Sequence, residues 1–490
     1  MRALLVLSAL SALSCATQQR AALPPAASAA QEREPSSLEY YFELDEGLHT
    51  LTARMCPKGE LPTQLVPGMQ AARSLLKRVA IERGAQQVEL AAGDDGVALT
   101  GLRPDECVRY ELDFDAAHAG MGAPMARHSG ASLITNIAAL LWRPAAYGHY
   151  GQVHASFELP AGAQLSVPWP RASDDPLVHR YTLDATAFAF HAYAAFGKVA
   201  IRQLAVAGST LELAILDGLS EAQGAAIERW VTVQANAMAT LGRLPREHLQ
   251  LVVVPSGPSS DPMRFGSMTR GGGASVALLI ASNFDEAALT RDWVLVHELS
   301  HLLHPFVQRD EAWVSEGIAT YYQEVLRARA GLQSPEDAWR RIWNGSRQGE
   351  AMAMSLERGA ASMYETYRFA PVYWGGAAVM LLADVELRRQ SGGARGLDDV
   401  LMQLSECCAV CVRPWSANEV AERMDTIAGA PVMRDLIAHV VRGTAFPSLG
   451  SLYAQLGLDE LGQAKGEAPL AAIRDAIMRA PAGLQAQGVR

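Results

Sequence analysis

From about residue 38 to residue 205 the chain alternates apolar and polar positions in short runs, with turn residues between them. A period of two sends successive side chains to opposite faces of a strand, so residues 40–44, 48–55, 107–114 and 153–159 are predicted strands. One stretch, 70–81, has helical spacing instead. Many short strands with turn signals predict a β-sandwich-like domain over 39–205.

After about residue 206 strands and helices alternate. Residues 210–216, 249–254 and 274–280 are apolar strand candidates, the last led by Gly271-Gly272-Gly273. Residues 220–241 have helical periodicity and start at Ser220, a good N-cap. Two further helices are predicted over 292–303, ended by Pro305, and from a cap at Asp310 to about residue 330, ended by Gly331. Beyond Ser334 the pattern is nearly all helical, and Ser334-Pro335-Glu336-Asp337 and Ser416-Ala417-Asn418-Glu419 both fit a capping box. The expected architecture is α+β and multidomain: a mixed strand-and-helix domain over 206–345 and a helical domain over 346–490 follow the β domain.

The extreme N-terminus stands apart. Arg2 precedes an apolar run over residues 3–13 that is too short to span a bilayer. It ends in Ala12-Leu13-Ser14-Cys15, which resembles a bacterial lipobox, with Ala12 where leucine is usual. Residues 1–15 are therefore read as a signal peptide with lipobox and Cys15 as the acylated first residue of the mature protein, which predicts export and a membrane anchor. The alternative is an ordinary signal peptide cleaved nearby. The Ala-, Gln-, Pro- and Ser-rich residues 16–38 are read as a flexible tether.

Export implies an oxidising compartment for the six cysteines. Cys56 and Cys107 are candidates to pair, and Cys411 is expected to bond Cys407 or Cys408, because adjacent cysteines rarely bridge each other. Across 490 residues the balance of 49% hydrophobic and 19% charged residues is that of a folded protein, and a net charge of −10 argues against nucleic acid as a partner.

The chemistry concentrates in His297-Glu298-Leu299-Ser300-His301. Residues four apart share a helix face, so both imidazoles can meet one zinc ion, while Glu298 reaches a water beside the metal without ligating it. A catalytic zinc also needs a third protein ligand and a free position. Glu316, early in the next helix, is the best candidate, since a helical hairpin brings it level with His301. His304, three residues after His301, is read as a surface or supporting residue rather than a ligand.

The run Trp313-Val314-Ser315-Glu316-Gly317-Ile318-Ala319-Thr320-Tyr321-Tyr322 resembles the helix of gluzincin peptidases that supplies the glutamate ligand. Arg327-Ala328-Arg329-Ala330-Gly331-Leu332 and Tyr373-Trp374-Gly375-Gly376-Ala377-Ala378 are similar to the glycyl aminopeptidase family. The resemblance implies a β-sandwich N-terminal domain, a thermolysin-like catalytic domain and a helical C-terminal part, with Tyr373 stabilising the reaction intermediate. Two departures stand out. Fourteen residues separate His301 from Glu316, fewer than is usual in the family. The stretch 266–273 lacks the acid with which related aminopeptidases hold a free amine.

These residues predict a peptidase with one zinc per chain, a peptide or protein substrate, and Glu298 as general base. Gly271, Gly272 and Gly273 are expected to let a substrate backbone approach, or else form an ordinary loop. Thr320 either orients a ligand or faces the core; Arg270 either meets a substrate carboxylate or is solvated. The rival readings are a zinc hydrolase of a non-peptide substrate and an inactive anchored scaffold.

Overall fold

The computed structural model describes residues 36–116, 126–173, 175, 178–352, 354–409 and 413–480. Cys15, Cys411 and nearly all of the predicted tether lie outside them. Strand Ser37–Leu44 begins within the last two residues assigned to that tether.

Strand Ser37–Leu44 shows how the first domain is specified. Leu38, Tyr40, Phe42 and Leu44 point inward and the residues between them outward, so a one-residue slip would expose the whole set. It lies in a seven-stranded sheet ordered Arg180–Asp184, Gln152–Glu158, Ser37–Leu44, Thr50–Lys58, Cys107–Asp113, Leu76–Arg83, Gln86–Glu89. Two four-stranded sheets share its buried cluster, which includes Tyr40, Phe42, Trp142 and Phe196. The Cys56–Cys107 disulfide joins two adjacent strands of the large sheet.

The helical expectation over 70–81 is corrected. Gln70–Leu75 is a 3-10 turn and Leu76–Arg83 is a strand antiparallel to Cys107–Asp113. Pairing with a distant strand, with Val79 and Ile81 buried, overrides the local spacing.

The second sheet system has five strands in the order Ala200–Val206, Ser209–Ile215, His248–Ser256, Ser275–Ala281, Met263–Thr269. Helix Glu221–Asn236 crosses between parallel strands Ser209–Ile215 and His248–Ser256. Ser220 starts it with a full capping box, Gln223 being the reciprocal partner. The edge strand Met263–Thr269, antiparallel to its neighbour, is an element the sequence reading did not separate from the glycine run.

Buried side chains from Val206 to Met478 form one continuous cluster, so the later helices pack on the same core as the five-stranded sheet. Strand Ala200–Val206 crosses residue 205 and helix Pro335–Glu350 crosses residue 345. Ser416 forms its complete capping box; Ser334 contributes the hydroxyl half, accepting from the Asp337 N–H. Asp310 does not cap its helix. It sits in a 3-10 turn, Arg309–Glu311, and helix Trp313–Arg329 starts from Ala312 without a side-chain cap. Gly331, at φ 73°, closes that helix as expected.

A second correction concerns Cys407 and Cys408, which bond to each other. Helix Leu397–Cys407 stops between them and Cys408 leaves helical geometry at φ −132°, so the two side chains are no longer held on separate helix faces. Among the described residues no helix is long and apolar enough to cross a membrane.

Candidate metal centre

Helix Val294–Ser300, continued by the 3-10 turn His301–Leu303, carries the two-histidine motif. Asp292 begins it by accepting the Val294 N–H at 2.8 Å. Leu295, Val296, Leu299, Leu302 and Leu303 anchor its apolar side in the core. At its other end Arg270 donates to the carbonyl oxygens of His301 (2.5 Å) and His304 (3.1 Å). These carbonyls are at the negative end of the helix, where a guanidinium is favoured.

Helix Trp313–Arg329 brings Glu316, and helix Phe369–Gln390 brings Tyr373. Their crossing is set by glycines. A Cβ on Gly376 would lie 2.2 Å from the Trp313 carbonyl oxygen, and one on Gly317 would lie 2.5 Å from the Gly376 carbonyl carbon. On either side of this contact Trp374 fills the space left at Gly345, and Gly375 packs against Leu356 and Phe446. The Tyr-Trp-Gly-Gly run is thus a packing device that brings Tyr373 close to Glu316, whose charge acts on its hydroxyl.

The donor atoms converge. His297 Nε2 lies 3.2 Å from Glu316 Oε2, and His301 Nε2 lies 3.8 Å from the same oxygen. One atom from each of the three residues falls within 4.8 Å of the other two. Ligands of a tetrahedral zinc with 2.0–2.1 Å bonds stand about 3.3 Å apart, so the set fits that ion with small adjustments.

Hydrogen bonds behind the rings set the tautomers. His304 Nδ1–H donates to the Pro305 carbonyl at 2.6 Å, which leaves His304 Nε2 to accept from His301 Nδ1–H at 3.0 Å. His297 Nδ1–H donates to Gln323 Oε1 at 2.8 Å, and Gln323 in turn donates to Glu324. Both ligand-facing Nε2 atoms therefore carry lone pairs. Burial and the Arg270 charge hold His304 down at about pKa 3. Burial, then the neighbouring imidazoles and Arg270, keeps His301 well below the usual imidazole value. For His297 burial disfavours the charged form, but the hydrogen bond to Glu316 and the carboxylates of Glu316 and Glu298 outweigh it and raise the pKa.

Glu298 is 8% exposed, and burial together with the Glu316 charge pushes it up to about 7. The backbone N–H of Met268, in the edge strand, favours the charged form of this carboxylate but is outweighed. Gly266 of that strand leaves it room, since a Cβ there would lie 2.9 Å from Glu298 Cγ. Tyr373 stacks parallel to the His297 ring at 6.0 Å, its pKa raised by burial and by Glu316.

Among the sequence-predicted residues, His297, Glu298, His301, Glu316 and Tyr373 therefore meet in one place. Gly271, Gly272 and Gly273 do not join them. Cβ atoms there would strike Phe190 O, Trp169 Cδ1 and Pro168 O at 2.7, 2.5 and 1.8 Å, so the glycines admit the close approach of the N-terminal domain. The Gly271 N–H donates to His191 O, and Trp169 Nε1 donates to Gly271 O. Arg270 holds the helix end instead of being solvated. His304 is 1% exposed and supports His301, and Thr320 Oγ1 has no hydrogen-bond partner among the described residues. Gln323 was missed. Its signal was its position seven residues, two turns, after Glu316 on the same helix face.

No family model matches the sequence, and no curated protein matches it. Solved structures do. An aminopeptidase N family protein from Idiomarina loihiensis aligns with a TM-score of 0.66 at 14% identity, covering 86% of this chain and 78% of that one. An M1 zinc metallopeptidase from Deinococcus radiodurans aligns with a TM-score of 0.53 at 16% identity, over 84% of this chain and 94% of that one. A mutant of that enzyme, bound to Tyr-Ser-Ala substrate, gives 0.52 at 15% identity, over 84% and 94%. The chain has the fold of the M1 zinc metallopeptidases, a β-rich N-terminal part followed by a mixed sheet-and-helix body.

Proposed function

We propose that this protein is a zinc-dependent peptidase in which His297, His301 and Glu316 hold the metal and Glu298 is the general base. The observation that carries this reading is the convergence of three buried or half-buried donors beside a separate carboxylate. A structural zinc would be closed by a fourth protein ligand and would need no base. When bound, zinc would supply Lewis acidity towards water and the scissile carbonyl. Glu298, with a proton affinity near neutrality, takes the proton of the attacking water and passes it to the leaving amine. The Tyr373 hydroxyl, protonated at neutral pH like any phenol and held more firmly so by burial, donates to the developing oxyanion. The Gln323 and His304 bonds hold the two imidazoles in register.

Substrate is proposed to be a peptide, as in the Tyr-Ser-Ala complex of the Deinococcus enzyme mutant. Export and anchoring through Cys15 remain part of the proposal. They are supported by the N-terminal apolar run and by the Cys56–Cys107 disulfide, which suits an oxidising compartment.

The test is cleavage of a peptide library with free and blocked N-termini by zinc-loaded protein and by Glu298→Gln. The expected result is cleavage by the parent and a loss of roughly 10²–10⁴-fold in the variant at unchanged metal content. Absence of cleavage by the fully loaded parent, or equal rates in both proteins, overturns the assignment.

A further inference from the structure

A second group of metal-ligating side chains lies in the N-terminal domain. His49 Nδ1 is 2.9 Å from Asp115 Oδ1, and His128 Nε2 is 4.0 Å from the same oxygen. The two imidazole rings are 5.1 Å apart between centroids. One ligand atom from each of the three residues lies within 4.8 Å of the others.

Three separate segments build the cluster. His49 sits in the turn before strand Thr50–Lys58, after Leu48 in the left-handed region at φ 58°. Gly47 makes room for its ring, because a Cβ there would come within 2.5 Å of His49 Cδ2. Asp115 lies in the 3-10 turn Phe114–Ala116, tied to the same place by the Phe114 N–H bond to His49 O at 2.8 Å. His128 belongs to Ala126–Ser129, the edge strand of a four-stranded sheet. Its neighbours Arg127 and Ser129 donate to Pro255 O (2.9 Å) and Asp217 O (2.7 Å) in the sheet-and-helix body. Alternation along the strand sends the His128 side chain the opposite way, towards His49 and Asp115.

A His–Asp hydrogen bond accounts for two of these residues and leaves the third unexplained. Two imidazoles 2.9 and 4.0 Å from one carboxylate oxygen, all three residues exposed, are a ligand set that a first-row divalent ion satisfies, whereas Ca²⁺ and Mg²⁺ prefer oxygen donors throughout. Asp45 and Asp113 add negative charge around His49. We propose that His49, Asp115 and His128 form a second zinc site, distinct from the candidate peptidase centre. It clips the turn before strand Thr50–Lys58 to the edge strand that abuts the sheet-and-helix body. The inference does not depend on the peptidase reading.

The experiment is titration of chelator-stripped full-length protein with Zn²⁺ against a chromophoric chelator. The parent is expected to bind two equivalents. His49→Ala and His128→Ala each bind one, Asp115→Asn weakens the second equivalent by at least tenfold, and His301→Ala retains it. A second readout is thermal: Zn²⁺ raises the melting temperature of His301→Ala but not of the His301→Ala/His128→Ala double variant. Unchanged stoichiometry in both His49→Ala and His128→Ala, or the same melting shift in single and double variants, overturns the site and leaves only a hydrogen-bonded surface pair.

Discussion

Gly317 and Gly376 meet backbone to backbone where helices Trp313–Arg329 and Phe369–Gln390 cross, and this contact fixes the distance between Glu316 and Tyr373. Gly317 directly follows Glu316 and Gly376 lies three residues after Tyr373, so each stands close to a residue that the proposed reaction requires.

Replacement of Gly376 by alanine puts a methyl group 2.2 Å from the Trp313 carbonyl, so the helices must separate. The expected cost is about 1–3 kcal/mol of stability, typical of overpacking. Zinc affinity and turnover fall together, because Glu316 and Tyr373 move apart. Chemical denaturation and a metal titration on the same protein check this; native stability with intact activity refutes it.

The His304 bond to His301 sets a tautomer rather than binding substrate. His304→Ala is expected to weaken zinc binding by roughly 10–100-fold while leaving KM of the metal-saturated enzyme nearly unchanged. Gln323→Ala acts the same way through His297. Excess zinc should restore turnover in both, which a merely misfolded variant would not show.

Tyr373→Phe removes a hydroxyl and keeps the ring stacked on His297. The expected loss is roughly 10²–10³-fold in kcat, with metal content and KM close to those of the parent. A phenylalanine variant with parental kcat would return Tyr373 to a packing role.

Asp217 joins the two parts of the molecule: its carboxylate accepts the Ala131 N–H at 3.0 Å and pairs with Lys198 at 3.0 Å. The Ala131 bond, then Lys198, lowers its pKa from the ordinary 3.8. A depressed carboxylate contributes stability that is fully present above the unfolded value and is lost as pH falls through the folded one. The parent should therefore lose more stability than Asp217→Asn as pH drops below about 4. Parallel pH–stability curves for the two proteins would remove this contribution.

Much was legible in the residues themselves. Period-two alternation placed the strand that starts at Ser37, spacing of four put His297 and His301 on one helix face, and Ser220 and Ser416 marked the helix starts they cap. These are local signals, carried by neighbours within a turn or two of chain, and backbone geometry translates them directly. Tertiary structure decided the rest. It made the second half of the apparent helix over 70–81 part of strand Leu76–Arg83, because its partner Cys107–Asp113 is distant in sequence. It gave Gly271, Gly272 and Gly273 to the domain joint, because the approaching backbone at Pro168 and Phe190 comes from another sheet system. It also buried His304 against His301 and brought His128 to His49 and Asp115. Side-chain periodicity reports which face of an element is covered; what covers it is set by contacts between segments far apart in the chain, which no local pattern encodes.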